Sequence, residues 1–290
     1  MKLIKIIPGP LLVFLGAFCL SFGGLIVKSF ESANLWQILF WRQTFFAIIV
    51  ALYLLLSYKK NIFKSFYHSG LSGFIGGFIL SIGFSAYVFS MYNTTVANAN
   101  FIIQTQTIFL AIFGYIFLKE KISAITLISI ILAISGIVLM LGNSLSAGDM
   151  VGNIGAFAMP ISFAVLILVV RKYPKVDMVP AQFIAGIFAI IIGYLLSNKI
   201  MVSTHDIFLG FLAGFFQVGF GFIFITIGAS RTPSAMVGII MLTEAVLGPL
   251  WAWLFINETP PLMVLIGGTV VIFAVLLQFY TIYEKKQFRS

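Results

Sequence analysis

Pro233 to Glu258 reads PSAMVGIIMLTEAVLGPLWAWLFINE, an apolar run of spanning length that holds one carboxylate, Glu244, near its middle. At the centre of a membrane-spanning helix an acidic side chain costs about 2.5–3.5 kcal/mol, so such groups face a bundle interior or a water-filled cavity. The stretch has an earlier counterpart. A shift of 138 positions lays Thr94–Glu120 over Thr232–Glu258, matching Thr94 with Thr232, Ala97 with Ala235, Ile102 with Ile240, Thr105 with Thr243, Phe117 with Phe255 and Glu120 with Glu258. Gln106 then falls on Glu244, so each copy carries a polar side chain in mid-run and closes on a glutamate.

The surroundings of these two stretches are equally apolar. Of 290 residues, 61% are hydrophobic and 9% charged, with a mean hydropathy of +1.13, whereas soluble domains carry about 25% charged residues. The chain is therefore read as an integral membrane protein. Its net charge of +9 sits in short clusters between apolar runs rather than in a basic stripe, which points to topology signals and not to nucleic acid. Cys19 stands alone and cannot form an internal disulfide, and with two histidines it gives no zinc spacing. Lys2 and Lys5 precede a first run that is long enough to span and lacks a small-residue cleavage site, so it is read as a retained helix.

Crossing about 30 Å of hydrocarbon takes roughly 20 residues. The sequence supplies ten such runs, at 10–29, 34–57, 69–91, 95–118, 122–142, 151–171, 178–197, 206–229, 233–256 and 261–282. Lysine and arginine concentrate in cytoplasmic loops. Lys2, Lys5, Lys59, Lys60, Lys64, Lys119, Lys121, Arg171, Lys172, Lys175, Arg231, Lys285, Lys286 and Arg289 fall on one side, and only Lys28 and Lys199 on the other, which puts both termini in the cytoplasm. Arg42 lies inside the second run.

The same count sets the relation between the copies, because Glu120 falls on a cytoplasmic loop and Glu258 on an outer one. The expected fold is all-α: ten transmembrane helices as two inverted five-helix repeats, residues 1–145 and 146–290. Inverted repeats are the plan of many secondary transporters, with a midplane site at the repeat interface. Small residues such as Gly70, Gly73, Gly76, Gly77 and Gly83, or Gly210, Gly214, Gly219, Gly221 and Gly228, suit close helix approach.

With these features in place the chain resembles the drug/metabolite transporter superfamily, specifically its ten-helix EamA-type members. The resemblance rests on Lys28 ending the first run, Phe40-Trp41-Arg42, the Thr94–Glu120 block with Lys119-Glu120, and Leu242-Thr243-Glu244 followed by Asn257-Glu258. Family members often place proline straight after the mid-helix acid, where this chain has Ala245 and puts its proline at Pro249. The resemblance implies a secondary carrier that exports amino acids or related small metabolites across a bacterial inner membrane.

Candidate substrate or coupling residues are those whose polarity is out of place at mid-depth. Glu244 is the only mid-span acid, and Arg42 lies about eight residues into its run, too deep for a loop charge. Its planar fork suits a carboxylate, although an arginine can also snorkel or brace a neighbour. Gln104, Thr105, Gln106 and Thr107 make a full polar turn, and Thr243 adjoins Glu244. Tyr87, Trp251, Phe220 and Ser162 lie near mid-depth as candidate wall residues. For the amides and hydroxyls the competing reading is ordinary bonding between helices; for Glu244 it is a protonated carboxyl bonded within the bundle. Pro160 and Pro249 are expected helix interruptions.

No catalytic set can be assembled, since Asp149, Asp177, Asp206, His68 and His205 all flank the runs. No GxxxxGK[ST] phosphate loop occurs, so no nucleotide cofactor or metal is expected. The expected partners are a small-molecule substrate, the bilayer and, as a candidate coupling ion, the proton; oligomeric state is left open. One mid-depth acid and one base fit a zwitterion. The alternatives are an exchanger of sugar phosphates or nucleotide sugars, for which a single buried base is too few; a lipophilic-cation exporter; or a channel or non-transport membrane protein.

Overall fold

A computed structural model of the chain describes residues 6–93, 102–141, 150–256 and 262–287, and these are helical almost throughout. In chain order the helices are α1 (Gly9–Leu20), α2 (Gly23–Lys28), α3 (Leu35–Tyr58), α4 (Ile62–Asn93), α5 (Gln106–Leu118), α6 (Ala124–Leu141), α7 (Met150–Ala156), α8 (Ala158–Lys172), α9 (Val179–Leu196) and α10 (Thr204–Phe211). A π-helical segment, Leu212–Phe220, leads into α11 (Gly221–Ala229), followed by α12 (Ser234–Met241), α13 (Thr243–Ile256) and α14 (Leu262–Gln287).

Among the described residues, 6 helical stretches are long and apolar enough to cross a membrane, with shorter apolar helices at Ile102–Leu118, Ala124–Leu139 and Leu265–Gln278. One of the long stretches, Leu35–Ser90, covers 56 residues and is interrupted by positive φ at Lys59 (49°) and Gly70 (54°). The chain is helical again from Ile62, ahead of the expected start at 69, and Gly70 supplies the left-handed turn into the next run. Lys2, Lys5, Thr94, Ala97, Asp149, Asn257, Glu258 and Arg289 from the sequence reading lie outside the described residues.

Among the described residues, four helices are broken part-way. The breaks fall at Ser21-Phe22 between α1 and α2, at Thr105 before α5, at Phe157 between α7 and α8, and at Leu242 between α12 and α13. Those at Thr105 and Leu242 are twins, with φ/ψ of −61/−12 and −63/−14. At each, the amide bonds three residues back, Thr105 to Ile102 at 3.1 Å and Leu242 to Ile239 at 3.2 Å. Each carbonyl then accepts from three residues ahead, Ile108 at 2.9 Å and Ala245 at 3.0 Å. The same tight turn therefore recurs in both copies of the repeated stretch, one residue out of register, since the shift of 138 lays Thr105 on Thr243.

Proline accounts for one break only. Pro160 lacks an N–H and its ring crowds the carbonyl four residues earlier, at Ala156, which places the interruption at Phe157. The kink expected at Pro249 is displaced: Thr243–Ile256 runs on as helix through it, and this span breaks instead at Leu242, two residues before Glu244.

Packing is set by glycines that let backbones touch. A Cβ at Gly16 of α1 would come 2.7 Å from the Gly221 carbonyl oxygen of α11, and one at Gly83 of α4 would come 2.7 Å from Ser162 Cβ of α8. A Cβ at Gly214 would overlap the Arg42 carbonyl oxygen of α3, and one at Gly77 of α4 would overlap that of Ala181 in α9. These contacts form exchanged pairs. As α1 lies on α11, α8 lies on α4; as α3 lies on the π segment, α9 lies on α4; and α3 meets α9, α5 meets α12 and α6 meets α14.

Two carboxylates tie the first half of the chain to the second. Asp206 in the first turn of α10 accepts from the amides of Glu31 (3.1 Å), Ser32 (3.0 Å) and Ala33 (2.9 Å) and from the Ser32 hydroxyl (2.5 Å). Glu120, beyond the left-handed cap at Lys119, takes Arg171 Nε and Nη2 on Oε1 at 2.8 and 2.7 Å. Its Oε2 accepts from the Ser234 amide at 2.8 Å, capping the start of α12.

Candidate functional site

α3 carries Arg42 inward, where it is 3% exposed. Its guanidinium carbon lies 4.8 Å from the Tyr87 ring centroid and 6.0 Å from that of Phe84, both on α4. This is cation–π geometry, which offsets part of the cost of taking the charge out of water. Nε and Nη1 of Arg42 are buried without a hydrogen-bond partner, so two edges of its fork remain open. Arg42, Tyr87 and Glu244 lie within electrostatic reach of one another.

The break at Leu242 places Glu244 in the first turn of α13. There the dipole of the newly started helix favours negative charge, which lowers the cost of a half-buried carboxylate. Gln106 stands at the matching position, the first residue of α5 behind the Thr105 turn. Buried polar atoms with no partner lie on the same segments: Gln104 Oε1, Gln106 Nε2 and Thr243 Oγ1 next to the two breaks, and both amide atoms of Gln43, next to Arg42 in sequence. An unsatisfied buried group costs about 1–3 kcal/mol. Three residues left so at the two breaks, with Arg42 and Gln43 on α3, mark atoms that a ligand or water would complete.

The break in the first span is held open from across the bundle. Gln217, in the π segment, donates to the Leu20 carbonyl at 3.1 Å. A Cβ at Gly23 would come 2.8 Å from Gln217 Nε2 and 3.1 Å from the Tyr87 hydroxyl, so α2 begins against both. Trp251 of α13 donates to the Ser21 hydroxyl at 2.8 Å and stacks on Phe22 with centroids 4.6 Å apart. These contacts join Ser21, Tyr87, Gln217 and Trp251 to the surroundings of Arg42.

Other predicted residues are occupied elsewhere. The Thr105 hydroxyl bonds Ile102 O at 2.5 Å and that of Thr107 bonds Gly238 O at 3.0 Å, the ordinary helix-bonding reading for both. Ser162 packs on Gly83. Phe220 sets its ring among Phe215 and Phe224, with centroids 5.6 and 5.9 Å away, in the aromatic packing of the π segment and α11. Gln43 and Gln182 were absent from the sequence candidates. Gln182 of α9 donates to Phe222 O at 2.7 Å and to the Thr226 hydroxyl, leaving its Oε1 buried without a partner. The signal for both was available, an amide inside a spanning run; for Gln43 it was masked by the adjacent arginine.

The family model for the EamA-like transporter family matches the chain twice, at residues 7–142 and 146–280. A relative described as an uncharacterized transporter of Clostridium kluyveri is 22% identical over 223 residues, covering 72% of each chain. A protein of known crystal structure superimposes with a TM-score of 0.77 at 15% identity, covering 93% of this chain and 95% of that one, a likeness of fold.

Proposed function

This chain belongs to the EamA-like transporter family, a multi-pass membrane protein of a family of transporters rather than enzymes, and from that premise we propose that it is a secondary carrier exporting small zwitterions, amino acids or close relatives, across a bacterial inner membrane. The observation that carries the reading is that Arg42 and Gln43 of α3 and Gln104, Gln106 and Thr243 at the two breaks keep buried polar atoms without partners, with Glu244 within electrostatic reach of Arg42. A substrate carboxylate meets the open edges of the Arg42 fork, and its ammonium meets Glu244. The amides and Thr243 take the remaining bonds, and Tyr87 and Trp251 form walls. Coupling to protons, if it occurs, runs through Glu244, the one acid in the cluster.

The architecture proposed with it is ten spans in two inverted five-helix repeats, with both termini cytoplasmic. The exchanged pairs of helix contacts and the recurrence of the same turn at Thr105 and Leu242 support this. Broken helices at matching positions of two repeats are where transporters of this plan bind substrate. Alternating access follows if the halves rock about the cluster, with Asp206 and Glu120 as ties between them.

Vesicle counterflow tests the substrate class. Vesicles preloaded with unlabelled amino acids are expected to take up the labelled compound without ATP or an imposed gradient; exchange confined to sugar phosphates or lipophilic amines overturns the zwitterion reading. For orientation, an impermeant thiol reagent in a Cys19→Ser background is expected to reach Lys60→Cys only from the cytoplasmic side. Labelling only from outside overturns it.

A further inference from the structure

A cavity of about 520 Å³ lies where the ends of α3, α8 and α11 meet the connection between α8 and α9, lined by none of the residues of the candidate site. Its wall combines Tyr53 and Tyr58 of α3, Lys175 and Asp177 of the connection, Thr226 of α11 and Arg231 just beyond it. Lys175 and Arg231 are exposed at its rim, whereas Thr226 is buried at its floor. Asp177 is fixed in place: Oδ2 accepts from the Tyr58 hydroxyl at 2.8 Å and Oδ1 from the Val179 amide at 2.9 Å. Behind the floor, the Thr226 hydroxyl receives the Gln182 amide, whose own Oε1 is buried without a partner.

We propose that this cavity binds the phosphodiester headgroup of an anionic phospholipid, phosphatidylglycerol-like in its chemistry, from the cytoplasmic leaflet. The side of the membrane rests on the orientation proposed above. Two cations at the mouth suit one phosphate. The carboxylate and phenols inside suit hydroxyl donors on the far end of a headgroup and disfavour a bare, multiply charged phosphate. The volume exceeds what a phosphate ion fills and leaves room for a glycerol headgroup. The same helix supplies the route for the acyl chains: Leu52, Leu55 and Leu56 of α3 are exposed apolar side chains within a turn of Tyr53 and Tyr58. Basic pockets between helix ends on the cytoplasmic side are established places for acidic headgroups.

The test reconstitutes the full-length protein in nanodiscs of phosphatidylcholine with or without phosphatidylglycerol and measures which lipid co-purifies by native mass spectrometry. Wild type is expected to retain phosphatidylglycerol preferentially. A Lys175→Ala/Arg231→Ala variant is expected to lose that preference by roughly five-fold for each cation removed, the scale of about 1 kcal/mol per base near a membrane surface. Lys59→Ala/Lys60→Ala, which removes two equally exposed bases outside the cavity, is expected to keep it. Thermal stability in phosphatidylcholine alone shows that each variant is folded.

Equal loss in both double variants reduces the effect to surface charge and overturns the site, as does no lipid preference in wild type together with no stabilisation by soluble glycerophosphoglycerol. If soluble glycerophosphoglycerol stabilises wild type but not Lys175→Ala/Arg231→Ala, while lipid shows no preference, the phosphodiester site stands and the lipid source is overturned. Sided thiol labelling of Lys60→Cys separates failure of the orientation from failure of the site, since lipid retention does not depend on which leaflet supplies it.

Discussion

Glu244→Gln is expected to lower the initial rate of counterflow in proteoliposomes by about ten-fold or more, corresponding to at least about 1.4 kcal/mol, and to flatten whatever pH dependence the wild type shows. Glutamine keeps the size and most of the hydrogen-bonding capacity of the side chain, so the fold and the α13 helix start should persist. What it removes is the charge that Arg42 and Tyr87 face and the group that can carry a proton or meet an ammonium. The competing reading, a protonated carboxyl that only bonds its neighbours, predicts wild-type rate and wild-type pH dependence, because the amide replaces a neutral acid closely. Initial rates between about pH 5.5 and about pH 8.5, on either side of the usual histidine value, decide between the two.

Gly214→Leu is expected to eliminate the folded protein or to lower its thermal stability severely. The π segment presses on α3 at this point: any Cβ at Gly214 overlaps the Arg42 carbonyl oxygen and comes 2.8 Å from Phe45 Cβ and 2.9 Å from the Phe46 amide. Backbone cannot yield as a flexible side chain can, and overpacking of this kind costs about 1–3 kcal/mol and occasionally more. The same contact positions Arg42, so a partly folded product should also lose transport. Gly76→Ala is the matched control, because its Cβ would find Val169 at 3.7 Å, an ordinary contact. Fluorescence-detected size exclusion with a thermal ramp measures both, and equal stability of the two variants would contradict the close packing of α3 on the π segment.

Much of the helical plan was legible because spanning helices declare themselves through length and apolarity, and Arg42 and Glu244 stood out as charges in runs that should have none. The breaks were harder to read. Only the one at Phe157 carries a covalent cause, in Pro160, whereas Thr105 and Leu242 turn without proline or glycine at the turn itself. Their tight i→i−3 bonding is a tertiary outcome, and periodicity is blind to it. Pro249 misled for the converse reason: a proline in a span is accommodated when neighbouring groups take up the carbonyl it leaves unpaired.

The π segment was equally invisible. From it Gln217 donates to the Leu20 carbonyl at 3.1 Å, a contact that α-helical spacing does not single out. Gln43 shows the limit of ranking residues by charge. Beside Arg42 it looked ordinary, yet it is fully buried with both amide atoms unpartnered. In the polar turn of Gln104 to Thr107 the two threonine hydroxyls bond backbone carbonyls, and the glutamines beside them keep open atoms.

The claim on which the rest depends is that the twin kinks line the space a substrate occupies. Thr243 adjoins both Leu242 and Glu244, its hydroxyl is buried without a partner, and cysteine replaces it with little change in size. In a Cys19→Ser background, the rate at which a small methanethiosulfonate reagent modifies Thr243→Cys is to be measured with and without a saturating amino acid that supports counterflow. Modification slowed several-fold by that amino acid, and not by one that fails to exchange, is the predicted result; a rate indifferent to every transported solute would contradict the account.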